Sequence, residues 1–200
     1  MALYTKRDLN EGLRSEFIYK SYSHEDMNKY AQRALMNESK TFSRYKTYDV
    51  FLSHSYEDAQ YILQLKKEIE KTGLSVYVDW IEDNQLDRSN VNRRTAELIR
   101  LRMKSCKTLL YALTENSKRS SWVQWELGFA DGHKKGKVAI IPILEDDKSN
   151  NGFYKQEYLG LYPYVDYYGN SIFVNGIKYE NSSFISLNKW LSLDDVTTIL

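Results

Sequence analysis

The spacing of apolar positions divides the chain into a helical N-terminal part and a longer part in which strands and helices alternate. Near the N-terminus, Leu9, Leu13 and Phe17 recur at every fourth position. Ala31 and Leu35 repeat this spacing further along the chain. Because residues four positions apart fall on one face of an α-helix, the pattern predicts two amphipathic helices before the alternating part begins.

Short apolar runs separated by helical periodicity follow from residue 47 onward. One predicted helix carries Ile62, Leu65 and Ile69 on a single face and ends at Gly73, where a left-handed residue suits a helix C-terminus. The other predicted elements are strands at residues 48–52, 74–78, 108–113 and 138–144 and helices at residues 90–103 and 121–131. Apolar strands joined by helices pair in parallel, with helices on both faces. The predicted fold class is therefore α/β, with a doubly wound parallel sheet.

The regular alternation weakens after residue 147, where tyrosine and glycine become frequent. Residues 164–168 are predicted to form a fifth strand. Residues 172–179 are predicted to form a hairpin centred on Asn175-Gly176, because Asn-Gly is a preferred pair in tight hairpin turns. The chain is thus divided into a helical extension, an α/β core and a small, tyrosine-rich β addition packed on the core. These parts are residues 1–45, 46–148 and 149–200.

Composition and charge exclude several classes of protein. Hydrophobic residues make up 42% and charged residues 28% of the chain, and the net charge is +1 with both signs interleaved, so neither a nucleic acid nor a membrane is an expected partner. The single cysteine, Cys106, excludes an intrachain disulfide. We find no apolar N-terminal segment and no apolar run of membrane-spanning length, so a cytoplasmic location is expected.

The carboxyl ends of the predicted strands collect polar and aromatic residues, and ligands of doubly wound sheets bind at this edge. Ser53 and His54 follow the first strand of the core, where a phosphate or ribose would lie near a helix N-terminus. Trp80 follows the second strand, and its indole either stacks on a flat ring or covers the edge of the core. Ser55 and Asp58 are predicted to cap the next helix. The acidic loop beyond Trp80 lacks calcium-loop spacing, so no metal site is expected.

The segment around Glu126 is the most informative. Ser121 with Gln124 three residues later resembles a capping box, which places Glu126 in the second turn of its helix. Trp122 is then its neighbour one turn earlier on the same face. A carboxylate among apolar neighbours is costly unless it has a use. The alternative is a glutamate at the rim of the fold, paired with a basic residue.

Several segments in the same order resemble a TIR domain of the bacterial kind. The matching segments are Tyr48 to His54, Leu74 to Trp80, Cys106 to Ala112, and Ser121-Trp122 with Glu126-Leu127-Gly128. The resemblance covers the chain from Tyr48 to about Glu145 and implies a flavodoxin-like parallel sheet of about five strands. The loop after Asp79 departs from the plant and animal pattern, because it lacks a central glycine.

The resemblance also implies an activity. Enzymatic TIR domains hydrolyse or cyclise NAD+ at its N-glycosidic bond, and their catalytic carboxylate corresponds to Glu126. Ser53, His54, Trp80 and Trp122 are expected to line the NAD+ site, with no metal and no cofactor besides the substrate. Self-association is expected, since such sites can draw residues from two subunits. In bacterial anti-phage defence of the Thoeris type, the TIR protein makes a nucleotide signal that activates a separate effector.

Two other functions are compatible with the same sequence. A non-enzymatic TIR adaptor is one, although adaptors often lack the glutamate that this chain keeps as Glu126. The other is an enzyme similar to nucleoside deoxyribosyltransferases, which act on N-glycosidic bonds with a related α/β architecture. A single carboxylate suits NAD+ cleavage because nicotinamide leaves as a neutral molecule and needs no general acid, unlike the leaving group of an ordinary glycoside.

Overall fold

The computed structural model describes residues 1–15, 23–39, 46–79, 93–145, 157–176, 183–194 and 196. Its strands are β1 (Tyr4–Thr5), β2 (Tyr48–Ser53), β3 (Val76–Val78), β4 (Cys106–Leu113), β5 (Val138–Leu144), β6 (Tyr164–Tyr168), β7 (Ser171–Asn175) and β8 (Phe184–Ser186). Its α-helices are α1 (Lys6–Ser15), α2 (His24–Ser39), α3 (Ala59–Glu70), α4 (Arg93–Lys104), α5 (Glu115–Arg119), α6 (Ser121–His133) and α7 (Leu187–Ser192). Short 3₁₀ helices cover Tyr56–Asp58 and Glu157–Leu161.

The strands form one mixed sheet that confirms the predicted fold class. Its order is β3-β2-β4-β5-β6-β7-β8, with β1 beside β5. The strands from β3 to β6 pair in parallel, and β7 and β8 extend the sheet in antiparallel fashion. The parallel part has the order of a flavodoxin-like sheet, which reverses direction between β2 and β4. Within the described residues the sheet has eight strands rather than about five, because segments before and after the α/β core add strands to it.

The N-terminus of the chain enters the sheet. Tyr4 and Thr5 pair in parallel with Ile143 and Leu144 at the carboxyl end of β5. Helix α1 follows directly and packs on α3. A strand of two residues has no period, so the sequence pattern could not reveal it. The predicted domain boundaries stay predictions, since residues 45, 148 and 149 lie outside the described ranges.

The sheet is covered on both faces, as the alternation of strands and helices predicts. On β2, Val50 and Leu52 face one core while Phe51 faces the other. Helices α1, α2, α3 and α7 bury their apolar sides in the first core, and α4 and α6 bury theirs in the second. Among the residues that the structure describes, no helix combines the length and apolar character needed to span a bilayer.

The C-terminal hairpin differs from the prediction. Asn175 is the last residue of β7 and is not in a turn; it pairs with Tyr164 on β6 and Phe184 on β8. A separate turn joins β6 to β7 at Gly169, whose φ is +57°. Residues 177–179 lie outside the described ranges. Asn175 and Gly176 therefore precede the connection to β8 and do not form a two-residue turn themselves, since the Gly176 amide donates to the Ser183 carbonyl.

Both predicted helix caps were also wrong in detail. Ser55 precedes the 3₁₀ helix but makes no side-chain capping bond. At the start of α6 the N-cap is Ser120, whose Oγ accepts a hydrogen bond from the Val123 backbone amide, while the Gln124 side-chain amide donates to the Lys118 carbonyl. The one-residue shift leaves Glu126 in the second turn, as predicted.

Candidate active site

The carboxyl ends of β2 and β4 lie side by side at the point where the strand order reverses. Ser53 is the last residue of β2 and pairs with Tyr111 on β4. Helix α6 packs across this edge with Val123, Leu127 and Ala130 buried against the sheet. A doubly wound sheet binds its ligands at this edge, so the residues here are the first candidates for a functional site.

Glu126 lies on the buried face of α6. It is three residues after Val123 and one before Leu127, so helical periodicity directs its side chain toward the sheet with theirs. The residue is only 7% exposed, which is inconsistent with a glutamate at an exposed rim. A carboxylate withdrawn from water in this way needs hydrogen-bond donors to offset its lost hydration.

Ser53 supplies one such donor. Its hydroxyl donates to Glu126 Oε2 at 2.5 Å, and the serine itself is 1% exposed. A hydroxyl donating to a carboxylate makes a short, charge-assisted bond that fixes the orientation of the acceptor. The structure therefore brings together two of the residues that the sequence selected, and it holds the carboxylate in one position.

The other residues selected from the sequence have no described hydrogen bond to Glu126. His54 is half-buried, with its Nδ1 3.1 Å from the Leu52 carbonyl oxygen. Trp122 is half-buried, and its ring meets that of Trp125 edge-on with centroids 5.5 Å apart. Part of the Trp122 indole packs on the core and part is open to solvent, so its shape suits both a structural and a stacking role. Trp80 lies outside the described residues.

A second buried carboxylate, Asp58, was missed as a site residue by sequence reasoning. It is 0% exposed and accepts hydrogen bonds from Thr114 Oγ1 at 2.6 Å and Asn116 Nδ2 at 2.8 Å. Burial raises the pKa of this carboxyl above its ordinary value, and the two hydrogen bonds partly oppose that effect. No local pattern indicated this contact, because an aspartate three residues after a serine is typical of a helix cap.

Thr114 and Ser117 order the segment that follows β4. Thr114 Oγ1 accepts from the Ser117 backbone amide, and the Thr114 amide donates to Ser117 Oγ, which together make a capping box on α5. Ser117 Oγ also lies 3.1 Å from the hydroxyl of the buried Tyr111. These bonds give the short helix before α6 a defined start. Among the described residues, no group of three or more His, Cys, Asp or Glu side chains could hold a metal ion.

The fold and the site define a class: a doubly wound α/β domain with one buried, serine-bound carboxylate at the switch point of its sheet. A family model described as "TIR domain" matches residues 50–177. The chain belongs to the TIR domain family.

Two curated relatives carry related names. The "Probable 3' cyclic ADP-D-ribose synthase ThsB'" of Bacillus cereus (strain MSX-D12) is 54% identical over 168 residues, which are 82% of this chain and 83% of that protein. The "Putative cyclic ADP-D-ribose synthase TIR2" of Cytobacillus dafuensis is 34% identical over 111 residues, 55% of this chain and 29% of the relative. Among solved structures, the TIR domain of the Toll-related receptor TRR-2 from Hydra magnipapillata matches with a TM-score of 0.39 and 20% identity, over 56% of this chain and 81% of that one.

Proposed function

We propose that this chain cleaves the bond between nicotinamide and ribose in NAD+ and forms an ADP-ribose-derived nucleotide, with Glu126 as the catalytic carboxylate. The observation that carries the proposal is the buried hydrogen bond between Ser53 and Glu126 at the switch point of a TIR domain. The relative that is 54% identical over most of both chains bears the name of a cyclic ADP-ribose synthase.

The chemistry requires one anion in a fixed place. When the N-glycosidic bond breaks, its electron pair goes to the nicotinamide nitrogen, and positive charge develops on the ribose. Nicotinamide leaves neutral, so no acid has to protonate it. A carboxylate that is already oriented and shielded from water stabilises the developing cation without having to reorganise. Glu126, held by Ser53, has the burial and the hydrogen bond that this task needs.

The nucleophile that attacks the ribosyl cation determines the product. Water would give ADP-ribose, while an oxygen or nitrogen atom of the same nucleotide would give a cyclic isomer and release a proton. We favour the cyclic isomer, since both relatives are named as synthases of cyclic ADP-D-ribose. Trp122, His54 and Ser53 would contact the dinucleotide, and Trp80 completes the proposed set. Self-association, and a separate effector that senses the product, belong to the same proposal.

The decisive experiment is to incubate the purified full chain with NAD+ and to separate nicotinamide and nucleotide products by chromatography. The wild type should release nicotinamide, and Glu126→Gln should not, because the variant removes the charge with almost no change in volume. Mass spectrometry separates the two products, since the cyclic isomer is lighter than ADP-ribose by one water.

Glu97→Gln is the matched control. Glu97 lies on α4 with its side chain 55% exposed and paired to Arg93, so the same substitution there should leave turnover unchanged. If wild type and Glu126→Gln are both inactive, lysate of phage-infected cells is added to supply a trigger. Equal turnover by the two proteins, or none from either after that addition, would contradict the proposal and favour an adaptor.

A further inference from the structure

We propose that Asp58 is a positioning residue for the reaction, which holds the loop after β2 against the segment after β4 and thereby fixes Ser53 relative to Glu126. The proposal rests on the function proposed above. Asp58 acts through the backbone segments that carry Ser53 and Glu126.

The contacts of Asp58 join two distant parts of the chain. Thr114 and Asn116 are 56 and 58 positions away in sequence, and each donates a hydrogen bond to a different oxygen of the carboxylate. The Asp58 backbone amide donates to the Ser55 carbonyl at 3.1 Å, which ties the carboxylate to the loop that begins at Ser53. One side chain thus bridges the ends of β2 and β4 at the switch point.

The segment after β4 leads directly to Glu126. Thr114 caps α5, and α5 passes through Ser120 into α6, where Ser120 is itself the N-cap. Helix α6 then carries Glu126 in its second turn. Any movement of the Thr114 loop relative to β2 therefore changes the distance between Glu126 and Ser53. Asp58 restrains this movement because it lies on the loop that begins at Ser53 and binds the Thr114 loop.

The position is an expensive one for a carboxylate. Burial without ion pairing costs stability, and the two donors of Asp58 are neutral groups. A similar long-range hydrogen bond in β4 involves no charge. Thr108, which is also fully buried, donates from Oγ1 to the Lys137 carbonyl at 2.7 Å. A carboxylate differs from a single hydroxyl because its two oxygens accept hydrogen bonds from two donors at once. The role of Asp58 is therefore to keep the loop after β2 and the segment after β4 at a fixed distance.

The test is an exchange of the bonded partners. Asn116→Asp places two carboxylates against each other and should lower kcat for nicotinamide release about a hundredfold, the order of loss expected from a displacement of about 1 Å at a reacting centre. The double variant Asp58→Asn/Asn116→Asp restores an amide-to-carboxylate bond in the opposite direction, and the amide oxygen introduced at position 58 can still accept from Thr114. We expect it to recover most of kcat, with the KM for NAD+ changing much less than kcat throughout.

A matched pair separates positioning from stability. Thr114→Val removes the hydroxyl that both binds Asp58 and caps α5, and Thr108→Val removes an equally buried hydroxyl that bonds only the Lys137 carbonyl among the contacts described. Both should lower the melting temperature, but only Thr114→Val should lower kcat. If kcat follows the melting temperature in both variants, or if the double exchange fails to restore it while the protein is folded, the positioning role is wrong.

Hydrogen exchange tests the same bridge without any substrate. Asp58→Ala should speed amide exchange in residues 114–126 well beyond the effect of Thr108→Val, since the bridge no longer restrains that segment. Unchanged exchange there would overturn the proposal even if the protein never turns over NAD+. Conversely, faster exchange in the Asp58→Ala variant of a protein that shows no NAD+ turnover would support the bridge between the two loops. It would overturn only the proposed function.

Discussion

The hydroxyl of Ser53 donates a hydrogen bond of 2.5 Å to Oε2 of Glu126, although 73 positions separate the two residues in sequence. Ser53 ends the strand at the switch point, and Glu126 lies on the helix that covers it. The bond joins the one carboxylate that the proposed chemistry requires to the sheet edge where the substrate would bind.

Removing the Ser53 donor should weaken catalysis while leaving the fold intact. A hydrogen bond to a charged group contributes about 1.5–3 kcal/mol, so Ser53→Ala should lower kcat by roughly tenfold to a hundredfold. The measurement is the rate of nicotinamide release at saturating NAD+. Ser75→Ala is the control, because Ser75 Oγ also donates to a carboxylate, Asp49 Oδ2 at 2.8 Å, at the opposite end of the strands. An equal loss of kcat in both variants would deny Ser53 a special role.

Trp122 and Trp125 offer a comparison of two neighbouring indoles. If Trp122 stacks on a ring of the dinucleotide, Trp122→Ala should raise the KM for NAD+ roughly fivefold to a hundredfold, since stacking of a base on an aromatic ring contributes about 1–3 kcal/mol. Trp125 instead stacks on Phe129 and lies under the Arg100 guanidinium, so Trp125→Ala should lower the melting temperature with little effect on KM. The reverse pattern would identify Trp122 as a core residue.

Asp58 and Asp49 should make contributions of opposite sign to the pH dependence of the free energy of unfolding. Burial raises the pKa of Asp58, with Glu57 adding to the shift and hydrogen bonds from Thr114 and Asn116 and the charge of Lys6 opposing it. The folded protein therefore takes up this proton at a higher pH than the unfolded chain does. As the pH rises from the ordinary carboxyl pKa of about 4 toward neutrality, ionisation of Asp58 costs stability, so the wild type should lose free energy of unfolding relative to Asp58→Asn.

Asp49 provides the opposite case. Burial alone would raise its pKa, but hydrogen bonds from Lys107 and Ser75 outweigh burial and lower the pKa below its ordinary value. The stability that Asp49 contributes is present above the ordinary pKa and lost as the pH falls through the lowered one. Urea denaturation of wild type, Asp58→Asn and Asp49→Asn at several pH values measures both differences. Slopes of the same sign for the two variants would contradict the assigned environments.

The packing of the N-terminal helix on α3 depends on the missing side chain of Gly12. A Cβ at this position would lie 2.6 Å from Nε2 of Gln64, which is buried and donates to Glu68. Gly12→Ala should therefore destabilise the protein by about 1–2 kcal/mol, because overpacking outweighs the usual gain from alanine in a helix. Gly132→Ala, where a Cβ meets no atom within 4 Å, should instead be neutral or stabilising. Equal melting temperatures for the two variants would show that α1 can shift without cost.

Local periodicity predicted much of this molecule. The strands beginning at Tyr48 and Val138 and the helix beginning at Ser121 were located to within a few residues, since burial of one helix face or of a whole strand leaves its pattern in consecutive positions. The same periodicity placed Glu126 on a helix with Trp122 one turn earlier. The strand Tyr4–Thr5 could not be predicted this way, because it is too short to show a period and pairs with Ile143 and Leu144 from a remote segment. The turn at Gly169 is local, since Tyr168 pairs with Ser171 directly across it, but apolar periodicity does not report turns.

By itself, the sequence determined the fold class, the family resemblance and the choice of Glu126 as the central carboxylate. Only the tertiary structure decided that Ser53 donates to Glu126, and that Asp58 joins Thr114 and Asn116 instead of capping its own helix. The physical reason is the range of the interactions. Propensity and periodicity report what a residue meets within a few positions, whereas a buried carboxylate takes its partners from whichever strand ends the folded sheet brings beside it.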